Sequence, residues 1–220
     1  MPSITREGPV WTLDFGDGEN RFGPEWLSAV DKCLDEIEAD AEPAALVTIG
    51  SGKFYSNGLD LDWLGQHLDE YAAYVDRLHA LFARILTLPV PTVAALNGHA
   101  FGGGAILAMA HDYRIMRHDR GYLCFPEVDI NIPFTPGMSA LVTSKLPPRT
   151  ALTAMTSGHR YPGPQAHQDG LVDATADLDS LQSAASDIVR PLAGKDRRTL
   201  GAIKQTMFSS VIESLRQPMG

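Results

Sequence analysis

Thr92-Val93-Ala94-Ala95-Leu96, closed by Asn97-Gly98, is too short for a helix and too apolar for a strand with one wet face. It reads as a strand buried on both sides, and Ala44 to Ile49, ended by Gly50-Ser51-Gly52, reads the same way. Such strands occur where helices cover both faces of a parallel sheet, and a helix-length amphipathic segment does precede each of them. From Pro24 to near Asp40, Trp26, Leu27, Val30, Cys33, Leu34 and Ile37 recur at helical spacing. A second helix is expected from about Asp69 to Leu86, with Tyr71, Tyr74, Val75, Leu78, Leu81, Phe82 and Ile85 on its apolar side, stopped by Pro89 and Pro91. The fold class is therefore α/β, a mainly parallel sheet with crossovers.

Further strands are expected at Val10 to Phe15, at Tyr113 to Met116 and at Gly121 to Phe125. Lys53 to Gly58 reads as a loop before a helix near Leu61, and Gly102 to Met109 opens another helix. From Pro136 the pattern is helical with no new strands: 137–146, 149–157, 163–169, 178–192 and 195–215. The expected organisation is a core domain over 1–135 that carries the active site. A helical region over 136–220 would serve as lid and assembly surface within one structural domain.

A chain of 220 residues can bury one full core. Its formal charge of -9 disfavours nucleic acid and anionic membranes, both of which need a basic surface. The N-terminal residues lack the basic start and apolar stretch of a secretory signal, and no apolar run reaches spanning length, so a cytoplasmic location is expected. Two cysteines, Cys33 and Cys124, have no metal-type spacing, so neither a disulfide framework nor a metal site is expected. Gly50-Ser51-Gly52-Lys53 fails as a phosphate loop, because Val47 stands where its first glycine belongs and Phe54 follows the lysine.

The chemistry centres on Glu127, in Phe125-Pro126-Glu127-Val128, downstream of the glycine triplet Gly102-Gly103-Gly104. A carboxylate among apolar neighbours loses hydration and gains proton affinity toward neutral pH, which suits a base that returns its proton. Glycines at a helix start can present backbone N–H groups to a developing anion. Together they outline proton abstraction beside a carbonyl. Asp129, two residues on, would share a face with Glu127 in an extended segment, although a turn-capping role is favoured. Asp60 and Asp62 read as helix caps. His99 and His111 have no neighbouring nucleophile in a recognisable frame and read as structural.

Three segments carry a family resemblance: Phe54-Tyr55-Ser56-Asn57-Gly58-Leu59-Asp60-Leu61, Pro91 through Gly104, and Pro126-Glu127-Val128-Asp129. In order and spacing the chain resembles the crotonase (enoyl-CoA hydratase/isomerase) superfamily, and within it the Δ3,Δ2-enoyl-CoA isomerases. The resemblance implies a spiral of β-β-α units, a coenzyme A thioester as substrate and no permanently bound cofactor. It also implies a homotrimer or hexamer and a place in fatty-acid oxidation. Carried over by position, Glu127 is the acid, and the backbone N–H groups of Leu59 and Gly103 form the oxyanion hole. Ser56, Asn57, Gly58, Asp60, Leu61, Gly102 and Gly104 would line the substrate. Trp63, Ile106, Ile132 and Phe134 are candidate walls of the acyl pocket.

Hydratases of the superfamily place a second glutamate two residues after the triplet, and here that position is Ile106. Dienoyl isomerases keep an acid eight residues beyond the Pro-Glu segment, where this chain has Thr135. One base suffices to move a double bond, so 3-enoyl to 2-enoyl isomerisation is the leading expectation. A hydratase or another enolate-forming enzyme, and a silent acyl-CoA binder, are the alternatives. No basic residue is assigned to the coenzyme A phosphates.

Overall fold

A computed structural model describes residues 1–218, so the last two residues of the 136–220 region lie outside it. Chain order begins with β1 (Ser3–Glu7), β2 (Val10–Asp14), α1 (Pro24–Ala39), β3 (Ala45–Ile49), β4 (Phe54–Ser56) and α2 (Leu61–Gln66). Next come α3 (Tyr71–Thr87), β5 (Thr92–Leu96), β6 (His99–Phe101), α4 (Gly103–Ala110), β7 (Tyr113–Arg117), β8 (Leu123–Cys124) and α5 (Glu127–Ile130). The remainder is α6 (Pro136–Lys145), α7 (Pro148–Ser157), α8 (Gly163–Gln168), β9 (Ala174–Ala176), α9 (Leu178–Val189), α10 (Arg197–Met207) and α11 (Ser209–Leu215).

Two sheets result. The larger runs β1-β2-β3-β5-β7-β9, parallel except for the β1–β2 hairpin, and the smaller is β4-β6-β8. Three times the chain lays a strand in the large sheet, then one in the small sheet, then a helix: β3-β4-α2, β5-β6-α4 and β7-β8-α5. This is the β-β-α spiral the motifs implied. The doubly buried strands behave as their sequences require. Val93 and Ala95 face Leu181, Ala185 and Val189 of α9, while Ala94 and Leu96 face the main core with Leu34, Phe82 and Leu107. That core continues into Met138, Leu141, Val142 and Leu215, so apolar packing crosses residue 135 without a break.

Several local expectations are corrected. Phe54–Ser56, expected as a loop, is a strand, and the expected Gly121–Phe125 strand shrinks to Leu123–Cys124. Strands of two or three residues are too short for alternation to show. β1 and β9 were not foreseen. β1 is a mostly exposed edge, and β9, in the region expected to be all helix, is three small half-buried residues held by pairing with β7. The expected 195–215 helix breaks at Phe208 into α10 and α11. Tyr71, assigned to the apolar side of α3, is 39% exposed because it opens the helix beyond the packed surface.

Lys204 ties the C-terminal helices to the core. Its buried ammonium donates to the Leu88 and Val90 carbonyls at 3.0 and 2.9 Å and to Asp112 at 2.6 Å. Among the described residues no helix is long and apolar enough to cross a membrane.

Candidate active site

Glu127 opens α5, a single turn closed by Asn131 in the left-handed conformation. The Glu127 carbonyl accepts the Asn131 N–H and, at 3.1 Å, the Ile132 N–H, so the loop wraps around the acid's own backbone. The side chain is 8% exposed, and its Oε2 has no hydrogen-bond partner among the described residues. Desolvation pushes its pKa up to about 7. A carboxyl group so placed is half ionised near neutral pH, the condition for exchanging a proton in both directions.

Glu127 faces a cavity of about 400 Å³. From one side come Asn57, Leu59 and Leu61, from another Phe101, Gly102, Gly103 and Ile106, and from a third Ile132, Pro133, Phe134 and Met138. The β4–α2 turn and the start of α4 meet at this cavity because Gly58 has no side chain. It adopts φ 78°, and a Cβ there would come within 2.8 Å of the Gly103 nitrogen. Gly102, at φ 51°, turns β6 into α4, and a Cβ placed on it would sit 3.6 Å from Glu127 Oε1. The glycine bend and the acid are therefore neighbours. Among the described residues the Leu59 N–H donates to no protein acceptor, and Gly103, first in α4, precedes every intrahelical acceptor. Ile106, one turn further on, is 1% exposed and shows the cavity only carbon.

Not every candidate reaches the cavity. Ser56 is wholly buried; its hydroxyl donates to the Asn20 carbonyl at 2.7 Å and accepts the Gly58 N–H at 3.1 Å, so it shapes the turn. Gly58 and Gly104 likewise serve close packing and contribute nothing to the lining. Asp60 caps α2 by accepting the Trp63 N–H, while its own N–H donates to the Tyr74 hydroxyl. Trp63 is turned aside, stacked on His67 at 4.3 Å and set against Tyr74. Asp62, read as a cap, instead pairs with Arg21, and both line the cavity. Asp129 shares no face with Glu127, because α5 is helical and two residues turn a helix by about 200°. It is exposed and lies against Gly158.

His111 is fully buried between Thr48 Oγ1 and the Leu107 carbonyl, both at 2.9 Å, and burial lowers its pKa to about 3. His99 packs among Phe54, Phe101 and Tyr122. Both histidines lie outside the lining, as their structural reading required. Both cysteines are free and buried, and the described residues hold no cluster able to bind a metal. Residues not foreseen include Arg21, Phe101, Pro126, Ile130, Pro133 and Met138. Adjacency to the glycine triplet and to Glu127 was a usable signal for Phe101 and Pro126. Met138 gave none, because an apolar helix residue looks the same facing a cavity or a core.

A β-β-α spiral with a buried carboxyl beside a glycine-opened helix defines a class. The chain belongs to the enoyl-CoA hydratase/isomerase family, which it matches over residues 10–218. Among individual proteins, it is 38% identical to enoyl-CoA delta isomerase 2, peroxisomal, of Arabidopsis thaliana, over 80% of this chain and 77% of that one. It is 31% identical to enoyl-CoA delta isomerase 1, peroxisomal, of the same plant, over 96% and 91%. The crystal structure of a probable enoyl-CoA hydratase from Mycobacterium tuberculosis superposes with a TM-score of 0.91 at 25% identity, covering 98% of this chain and 91% of that one.

Proposed function

We propose that this chain moves the double bond of a 3-enoyl-CoA thioester to the 2-position. Glu127 takes a proton from C2, the charge spreads through a dienolate, and the acid returns a proton at C4. The N–H groups of Leu59 and Gly103 hold the thioester oxygen as it gains charge. The observation that carries this reading is the cavity's composition. Its two carboxylates are Glu127 and Asp62, and Asp62 is 81% exposed and paired with Arg21. Only Glu127 is free to accept a proton in an apolar setting. Ile106 occupies the position from which a hydratase would supply its second acid, and a carbon wall there cannot orient water. The delta isomerase names of the Arabidopsis relatives support the same choice.

In this reading coenzyme A arrives as substrate, no cofactor is resident, and the pathway is fatty-acid oxidation in a water-filled compartment, the cytoplasm. Assembly as a homotrimer, or a hexamer of paired trimers, is supported by α10, which leaves Ile203 and Met207 54% and 69% exposed on one face. The test is a coupled assay on 3-hexenoyl-CoA with the parent and Glu127→Gln. A drop in kcat of about 10²- to 10⁴-fold is expected, and equal rates would remove Glu127 from the chemistry. Hydration is checked in parallel with 2-enoyl-CoA in heavy-oxygen water, where labelled hydroxyl product would favour the hydratase reading.

A further inference from the structure

Thr135 stands in the middle of the acyl wall and contributes nothing to its surface. Ile132, Pro133 and Phe134 before it and Met138 after it all line the cavity. The Thr135 hydroxyl is engaged elsewhere: it accepts the Met138 N–H at 3.2 Å, capping α6, and meets His79 Nε2 at 2.8 Å. His79 comes from α3 and is 2% exposed. Burial lowers its pKa, so the ring is neutral and the pair is a hydrogen bond without charge. Behind this pair lies α11. The His79 ring meets the Leu215 backbone, though Nδ1 lacks a partner of good geometry among the described residues, and a Cβ on Gly137 would come within 2.8 Å of the Leu215 Cα. The wall is thus backed by helices on two sides, and among the described residues its one polar fastening to α3 is the His79–Thr135 bond. α3 also steadies the opposite side of the cavity, where Tyr74 accepts the Asp60 N–H at 3.0 Å next to Leu59.

We propose that His79 is a positioning residue that sets acyl-chain length, by fastening Thr135 and so fixing how far Phe134 and Met138 stand from the reacting end of the cavity. The substrate class rests on the acyl-CoA reading above. Removing the imidazole frees the wall to retreat into the vacated space, which admits longer chains without moving Glu127, whose turn is closed separately by Asn131. A purely structural histidine would instead lower all activities together.

The experiment measures kcat and KM for the parent, His79→Ala and His79→Gln on hexenoyl, octenoyl, decenoyl and dodecenoyl 3-enoyl-CoA thioesters. In His79→Ala the ratio of kcat/KM for dodecenoyl over hexenoyl should rise on the order of 10-fold, since one methylene in an apolar pocket is worth about that much. The change should lie in KM, with kcat on hexenoyl-CoA within about twofold of the parent and the glutamine variant restoring the parental ratio. An unchanged ratio, or a uniform loss across chain lengths, overturns the proposal. Should the alanine variant fail to fold, His79→Leu keeps the bulk and removes the bond, and its ratio must shift in the same direction. Calorimetric binding of the matching saturated acyl-CoA series gives the ratio without turnover. A parent that binds these ligands but isomerises nothing therefore refutes the reaction and still decides the role of His79, whereas a parent that binds none overturns both.

Discussion

Glu127→Gln should make the protein more stable at alkaline pH while disabling it. In the folded chain, burial raises the Glu127 pKa from 4.5 to about 7, with Oε2 left without a partner. The folded state therefore binds this proton more tightly than the unfolded chain does. The resulting stabilisation is fully present below about pH 4.5 and is lost as pH rises through about 7. At about 1.4 kcal/mol per unit, the displacement amounts to about 3 kcal/mol. Glutamine has nearly the same shape and does not ionise. Urea unfolding at fixed protein concentration, from about pH 4.5 to about pH 8, should show the variant gaining about 3 kcal/mol relative to the parent, chiefly between those two pKa values. Other titrating groups cancel in the difference. A stability difference flat across that range would refute the claim that burial withholds the proton. In the parent, kcat/KM should rise with pH to a plateau with its midpoint near 7, as deprotonation arms the free enzyme.

Gly103→Ala places a methyl group 2.8 Å from Leu59 Cδ1, 3.0 Å from Phe22 and 3.4 Å from the Gly58 Cα, crowding the proposed oxyanion pair from the side of the Leu59 turn. Steady-state kinetics should show kcat down about 10²-fold, in keeping with loss of one oxyanion donor, with KM changed little. Ile106→Glu puts a second carboxyl beside Glu127, and like-charge repulsion should raise the activity midpoint above that of the parent in a pH–rate profile. Lys204→Met removes the cation from Asp112, which keeps the Thr92 N–H, and the donor from the Leu88 and Val90 carbonyls, and urea unfolding should show a loss of about 3 kcal/mol.

Much of this architecture was legible because burial on both faces leaves a plain mark. Thr92–Leu96 and Ala45–Ile49 are largely apolar runs, and the stripe from Trp26 to Ile37 fixes α1. Of the small sheet only the last strand was legible, as an overlong Gly121–Phe125, since Phe54–Ser56 and His99–Phe101 are defined by pairing with their neighbours. The acid and the glycine triplet could be found because each is chemically distinctive at a distinctive spacing, whereas Ile106 was marked only by the family resemblance, as the position where a hydratase carries its second glutamate. The orientation of Ser56, Asp60 and Trp63 could not, because a polar or aromatic side chain beside a turn can face either way, and only three-dimensional packing decides. Arg21 escaped because it reaches the cavity from a segment distant in sequence, and Met138 because an apolar helix residue carries no mark of which way it faces.

The carbonyl of Glu127 holds the amide of Ile132, so proton donor and hydrocarbon sleeve are two ends of one short loop. A bulkier group that pushed Ile132 itself outward would tug the acid off its target carbon, whereas Phe134 and Met138, further along and bonded to no part of Glu127, can give way without disturbing it. Tolerance gained at the far part of the wall therefore leaves speed intact, and tolerance gained by loosening this loop would be expected to slow turnover.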